Sequence, residues 1–207
     1  MVCRGCNATL GTQDEPSNGW RIWKWNLDIR HASSPQPHWH VFSTQKWISA
    51  RLLYLIENTG LRKFHIHPGP PVTRASIRNE STAPLVSLPS LLVWVFTLDL
   101  LFSSSIPSTG RQDPTRSIKV FYQKQTWKPL EPGEREIASI EDVELPEELF
   151  EELNHVLGES QKVLPPTARK FKEWDVGLLH RFDIGDVGAA HTDQSPQDAS
   201  VDPEAGI

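Results

Sequence analysis

Apolar and polar residues alternate with a period of two in several segments of the chain, which is the pattern of a strand with one buried face. The segment at 91–96 (LLVWVF) is apolar throughout, as is typical of a central strand covered on both faces. Loops rich in Pro, Ser and Gly separate these segments. The pattern predicts strands at 20–29, 63–67, 91–96, 117–123 and 174–182.

Two other segments repeat apolar residues at helical spacing. The first runs over 44–58, with Ser43 as its N-cap and Gly60 as its stop. The second runs over 146–162, with Pro146 in its first turn and one apolar stripe. The order of elements predicts an α+β fold, with a mainly antiparallel sheet and two principal helices. We expect one shared core to bury Trp25, Leu52, Trp94, Val120, Leu153 and Leu178.

Three segments fall outside these patterns. Residues 68–89 contain five prolines and form a predicted insertion loop. The acidic run at 131–152 is interpreted as a solvated face and not as a catalytic pair. Residues 183–207 hold six acidic residues and no Lys or Arg, which predicts a disordered acidic tail after a domain at 1–182.

Composition narrows the classes of function. The 207 residues include only two cysteines, and the first 20 residues do not form a signal peptide. We therefore expect the protein to work in a reducing compartment, which is the cytoplasm, with the nucleus as a second location. The apolar stretch at 85–102 contains Pro89 and Asp99 and is too short for a membrane span. Residues 1–130 hold 15 Lys+Arg against 7 Asp+Glu but no dense basic cluster, so nucleic acid is not an expected partner.

The sharpest local feature is Cys3-x-x-Cys6. Two thiolates at this spacing can bind one Zn²⁺ from a tight turn, which Gly5 permits, but a structural zinc requires four ligands. We therefore interpret Cys3 and Cys6 as half of a zinc site and expect their sulfurs to lie close together. Two ordinary thiols are an alternative, and a redox pair is a weaker one because the strand-before-helix context is missing.

The pairs His38-x-His40 and His65-x-His67 are the other candidate metal ligands, because alternate residues of a strand project to one face. Incidental histidines are the simpler interpretation, since no third ligand follows at a recognisable spacing. No serine lies in a G-x-S-x-G elbow, and no glycine loop suits a phosphate. The sequence patterns therefore identify no catalytic residue.

Five stretches in a fixed order carry a family resemblance over most of residues 2–182. They are VCRGCNATLG at 2–11, KWISARLLYLIENTGLRKF at 46–64, LLVWVFTLDLLFSSS at 91–105, SIKVFYQ at 117–123 and LPEELFEELNHVLGESQKVLPPTARKFKEWDVGLLHRF at 145–182. The chain resembles the C-terminal half of the HECT-like ubiquitin ligases that bind ubiquitin-conjugating enzymes (E2s). The resemblance implies binding of an E2 charged with ubiquitin and transfer of that ubiquitin to a substrate lysine. In a HECT-type route, a cysteine thiolate first takes the ubiquitin as a thioester.

Family members carry further Cys and His residues upstream of the knuckle formed by Cys3 and Cys6, and here Met1 almost directly precedes it. We therefore expect the chain to lack an upstream half, which leaves Cys3 and Cys6 as its only thiols. A zinc-bound thiolate accepts ubiquitin poorly. Three hypotheses follow: a ubiquitin ligase or a fragment of one, a non-catalytic adaptor that docks on an E2, or an inert fragment that needs its missing half.

Overall fold

The computed structural model describes residues 1–14, 17–30, 39–69, 87–106, 113–129, 133, 137–183 and 186. Within these ranges lie the helices α1 (Thr44–Thr59) and α2 (Glu147–Val163). The strands in chain order are β1 (Gly11–Asp14), β2 (Gly19–Ile22), β3 (Ile29–Arg30), β4 (Trp39–His40), β5 (Lys63–Pro68), β6 (Leu88–Phe102), β7 (Thr115–Trp127), β8 (Glu141–Leu145), β9 (Lys170–Phe171) and β10 (Trp174–His180). Short 3₁₀ turns lie at Lys24–Asn26 and Pro166–Ala168.

Six strands form one sheet in the order β8-β5-β6-β7-β10-β9. Its neighbouring strands are antiparallel except for β5 and β8, which run parallel. Two further two-stranded pairs, β1 with β2 and β3 with β4, precede α1 in the chain. The prediction of an α+β fold with a mainly antiparallel sheet and two principal helices is confirmed.

Both helices pack on the same face of the six-stranded sheet. Buried side chains of α1 and α2 join those of five strands in one core cluster: Ile48, Leu52, Ile56, Phe64, Ile66, Leu91, Val93, Val95, Ile118, Val120, Tyr122, Val143, Leu145, Leu149, Phe150, Leu153, Val156, Leu157 and Leu179. The strand members pair across the sheet, as Phe64 does with Val93, so they share one face. This face is the main hydrophobic core.

The helix ends follow local chemistry. Gly60 closes α1 in the left-handed conformation (φ 74°), and its N–H donates to the carbonyl of Ile56 at 2.8 Å. Pro146 lies one residue before α2 as its N-cap, so its predicted place in the first turn is wrong by one position. Glu147 and Glu148 occupy that turn, where their carboxylates favour the positive end of the helix dipole.

The predicted strand at 20–29 is wrong. β2 ends at Ile22, a 3₁₀ turn covers Lys24–Asn26, and β3 begins at Ile29. The Trp23 and Trp25 rings stack with centroids 5.5 Å apart, and Trp25 packs against the core cluster. The predicted alternation of burial holds for Trp23 and Trp25 but ends there, since Asn26 is partly buried and Leu27 is 38% exposed.

Part of the acidic run is a strand with one solvated face. β8 is an edge strand that pairs with β5; its Asp142 and Glu144 are exposed, whereas its Val143 and Leu145 are buried in the core. The predicted insertion loop at 68–89 is shorter than expected, because Pro68 belongs to β5 and Leu88 and Pro89 belong to β6; residues 70–86 lie outside the described ranges. The apolar stretch at 85–102 supplies β6 as predicted, and no helix among the described residues is long and apolar enough to cross a membrane.

The six residues expected in one core divide between the two faces of the sheet. Leu52, Val120 and Leu153 belong to the core cluster, with Trp25 packed against it. Leu178 is also buried, but it lies outside that cluster and pairs with Lys119 on the opposite face. Trp94 lies on that opposite face too and is only partly buried. The predicted burial is correct for Leu52, Val120, Leu153 and Leu178, and Trp25 and Trp94 are partly buried. The prediction of one shared core is wrong, because these residues lie on both faces of the sheet.

The chain beyond β10 remains attached to α1 for several residues. Ser49 Oγ donates to the carbonyl of His180 at 2.7 Å, and the ring of Phe182 packs on that of Trp47. Lys46 Nζ lies 2.6 Å from Asp186 Oδ1, so an ion pair forms beyond the predicted start of the tail at 183. The remainder of the predicted tail at 187–207 lies outside the described residues.

Candidate functional site

Five aromatic side chains form a continuous surface on the sheet face opposite the helices. We call it the aromatic face; it comprises Trp94, Phe96, Phe121, Phe171 and Trp174. The Phe121 ring lies at its centre, with centroid distances of 5.4 Å to Trp94, 4.9 Å to Phe96 and 5.1 Å to Phe171. Trp174 joins the group through Trp94, at 6.2 Å.

Strand register explains why these rings meet. Trp94 on β6 pairs with Phe121 on β7, and Trp174 on β10 pairs with Phe171 on β9, so each pair shares a face. A β-bulge between Val95 and Thr97 leaves Phe96 without a paired residue on β7. The result is an uneven exposure: Phe121 is 3% exposed beneath the other rings, whereas Phe96 is 49% and Phe171 is 46% exposed.

Three lysines lie over rings of the aromatic face. Lys63 Nζ is 5.4 Å from the centroid of Trp94, Lys119 Nζ is 5.6 Å from that of Phe121, and Lys172 Nζ is 5.9 Å from that of Phe171. These distances are within the range of cation–π attraction, about 6 Å. The surface is therefore apolar at its centre and positively charged around it.

A second cluster, which we call the histidine cluster, continues the same face toward β8; it comprises His65, His67, Ser90, Trp127 and Asp142. His65 Nε2 lies 2.9 Å from Ser90 Oγ, and the buried His67 ring stacks on Trp127 with centroids 4.0 Å apart. His67 Nε2 lies 3.1 Å from Asp142 Oδ2, and its Nδ1 lies 2.9 Å from the carbonyl of Pro68. Contacts at both ring nitrogens hold His67 in place within the sheet.

The histidine cluster has the geometry of structural packing. Burial lowers the pKa of His65, with the neighbouring Asp142 carboxylate acting in the opposite direction, so the neutral ring is favoured. His65 and His67 project to one face of β5 as predicted, but their ring nitrogens already hydrogen-bond within the sheet. The buried Ser90 contacts His65, whereas Asp142 contacts the other histidine, His67. These contacts therefore do not form a Ser-His-Asp relay, in which one histidine would bond to both the serine and the aspartate.

The knuckle at Cys3 and Cys6 is a tight turn. The N–H of Asn7 donates to the carbonyl of Cys3 at 3.0 Å, and the N–H of Cys3 donates to the carbonyl of Ala8 at 2.8 Å. The backbone N–H groups of Cys6 and Gly5, and then the Cys6 thiol, donate to the Cys3 sulfur and lower its pKa. These contacts place the Cys6 thiol next to the Cys3 sulfur.

Cys3 and Cys6 fit two ligands of a zinc ion, because N–H donors stabilise the thiolate that zinc requires. Among the described residues, no group of three or more Cys, His, Asp or Glu side chains could hold a metal, so His65 and His67 are not brought to the knuckle. His38 lies outside the described residues, and His40 is placed only as the end of β4. The other ligands of a zinc site at the knuckle would therefore come from outside the described residues or from another chain.

Comparison with known protein families defines the class of this chain. The family model described as HECT-like Ubiquitin-conjugating enzyme (E2)-binding matches residues 1–176, which include the knuckle, both helices and most of the six-stranded sheet. The chain belongs to this family, and membership supports an E2 as its binding partner. No curated protein and no solved structure showed a significant match to the chain.

Sequence reasoning located the knuckle but missed the aromatic face. Trp94 and Phe96 alternate on a segment that was interpreted as a strand buried on both faces, and Phe121 lies on another predicted strand. The available signal was the clustering of large aromatic residues at alternate positions of neighbouring strands. That signal could not show which face the helices would leave uncovered.

Proposed function

We propose that this protein docks on a ubiquitin-conjugating enzyme and promotes transfer of ubiquitin from that enzyme to a substrate lysine, without forming a ubiquitin thioester of its own. The family match supports the docking step. The cysteine content supports the absence of a thioester step, because the only two thiols in the sequence lie together in the knuckle. We place this activity in the cytoplasm or nucleus, where thiols stay reduced.

The knuckle geometry suits a metal ligand. Three donors bind the Cys3 sulfur and favour its thiolate, which is the form of cysteine that binds zinc. We propose that Cys3 and Cys6 supply two of the four ligands of a structural zinc, whose role when bound is to fix the N-terminal turn. The remaining ligands come from outside the described residues or from another chain.

Metal analysis of the purified chain tests the zinc proposal. Two ligands alone hold zinc weakly, because the affinity of a structural site depends on all four closing together. We expect mild chelation to remove any zinc from the 207-residue chain. One equivalent that survives chelation, and that is lost in Cys3→Ser, would show instead that the chain completes its own site.

A second candidate function is supported by the lowered pKa of Cys3, since a thiolate is the form that attacks a thioester. In that route the Cys3 sulfur attacks the carbonyl carbon of the E2–ubiquitin thioester. A new carbon–sulfur bond forms, the bond to the E2 cysteine breaks, and that cysteine leaves as a thiolate. Ubiquitin would then pass from Cys3 to a substrate amine.

Incubation with a ubiquitin-charged E2, followed by a non-reducing gel, separates the two candidates. We expect the wild-type chain to form no ubiquitin adduct of the kind that a reducing agent removes. Cys6→Ser is the matched variant, because it removes the exposed neighbouring thiol while keeping Cys3. A reducible adduct that persists in Cys6→Ser and disappears in Cys3→Ser would establish the thioester route and overturn our proposal.

A further inference from the structure

We propose that the aromatic face is the surface on which the E2 docks, through an E2 surface that is apolar at its centre and acidic at its edge. This inference rests on the proposed function, because it locates the docking step that the family match supports. It is carried by three features of the described residues: exposed rings, a rigid support beneath them, and a surrounding positive charge.

The exposed rings of Phe96 and Phe171 resemble the anchors of a protein interface. Both are about half exposed, although they flank the fully packed ring of Phe121. Interface centres are enriched in aromatic residues, and a few such residues supply most of the binding energy. Covering this surface with a partner would remove from water the largest ring cluster on the face that the helices leave open.

The aromatic face is preorganised for binding. Phe121 stacks on Phe171 with an interplanar angle of 10°, and Trp94 and Phe96 pack edge to face with each other. Rings held by their neighbours lose little side-chain freedom when a partner arrives, so the entropic cost of association is small. The six-stranded sheet beneath them provides a rigid support.

Charge defines the partner's chemistry. Lys63, Lys119 and Lys172 place their ammonium groups over the rings, so an approaching surface meets positive charge around an apolar centre. An acidic edge on the partner would be attracted and steered to this position. A second copy docked through the same patch around a twofold axis would bring these lysines toward one another, which disfavours self-association.

Single-stranded nucleic acid is the other class of occupant that rings and lysines could accept. Protein is favoured because the lysines already lie over ring faces that bases would need for stacking, and because the family match supplies a protein partner.

Affinity measurements with a panel of ubiquitin-conjugating enzymes test the inference. An E2 that binds the wild type is chosen from the panel. We expect Phe96→Ser and Phe171→Ser each to lower the affinity for this E2 by about 30-fold, the loss typical of an interface anchor. Tyr54→Ser on α1 is the matched control, because Tyr54 is 64% exposed but lies on a helix packed against the opposite sheet face. This control should leave the affinity unchanged.

Charge reversal supplies a second set of variants that leaves the ring cluster intact. Lys119→Glu should weaken E2 binding and reduce its dependence on salt, whereas Lys162→Glu on α2 should change neither. Thermal unfolding of every variant checks that the fold is retained. If a ring variant is unfolded, its loss of binding is not counted, and the charge variants decide whether the aromatic face is the docking surface.

The outcomes separate this inference from the proposed function. If the wild type binds an E2 and both the ring and the lysine variants bind it equally well, the aromatic face is not the docking surface, although the proposed function stands. If no E2 in the panel binds the wild type, both proposals fail. The same variants could instead abolish dimerisation or oligonucleotide binding and leave the E2 affinity unchanged. That result would assign the aromatic face to a second copy of the chain or to nucleic acid.

Discussion

Phe64→Ala is expected to lower the free energy of unfolding by about 3–5 kcal/mol. Phe64 is fully buried on β5, where it pairs with Val93 of β6 on one side and with Glu141 of β8 on the other. Removing the ring leaves a cavity beneath both helices, because packed neighbours collapse into such a space only partly. Chemical denaturation with a constant m-value measures the change.

Tyr54→Ala is the matched control for Phe64→Ala. Tyr54 is also an aromatic residue, but its exposed position on α1 means that the substitution should change stability by less than about 0.5 kcal/mol. If both variants lose similar stability, or if neither does, Phe64 does not lie in the core described above.

Val143→Asp is expected to be similarly damaging, with a loss of about 3–5 kcal/mol. Val143 is buried on β8 and belongs to the main core cluster, so an aspartate there would place a carboxylate among apolar side chains without a cation. If this segment were solvated on all sides, one more acid would have little effect. The substitution therefore tests whether β8 buries one of its faces.

Ser139→Asp tests whether added charge alone explains the result. Ser139 is exposed in the turn just before β8, and the substitution adds the same negative charge to the same acidic segment. Its stability should stay within about 0.5 kcal/mol of the wild type. A Val143→Asp variant as stable as Ser139→Asp would contradict the pairing of β8 with β5.

The helices and the central strands could be predicted from the sequence because their signals are local. Gly60 ends α1 through its own left-handed conformation, and the apolar stripe of α2 is buried as its spacing required. The length of β6 was underestimated, since its second half contains polar residues such as Asp99. Asp99 remains in the strand because it forms an ion pair with Arg116 of the neighbouring β7.

The errors occurred where structure depends on contacts distant in sequence. β8 is a strand because β5 offers it a parallel edge, and no feature of a short acidic segment indicates that edge. Leu178 is buried as expected and Trp94 partly so, but the sequence did not show that both helices would cover the opposite face. The aromatic face was missed for the same reason.

The knuckle was predictable because its spacing is itself the chemical signal. Cys3 and Cys6 lie together as the C-x-x-C pattern requires, and the structure adds the N–H donors that lower the Cys3 pKa. The pattern alone could not indicate that His65 and His67 would be engaged within the sheet and not at the knuckle.

The central claim is that this protein docks on a charged E2 and promotes ubiquitin transfer directly from it. The most direct measurement is the single-turnover rate at which a ubiquitin-charged E2 loses its ubiquitin to free lysine, with and without the chain. We predict a faster discharge that saturates as the chain concentration rises and that is retained in Cys3→Ser. A discharge rate that stays the same at every chain concentration, with an E2 that binds the chain, would contradict the claim.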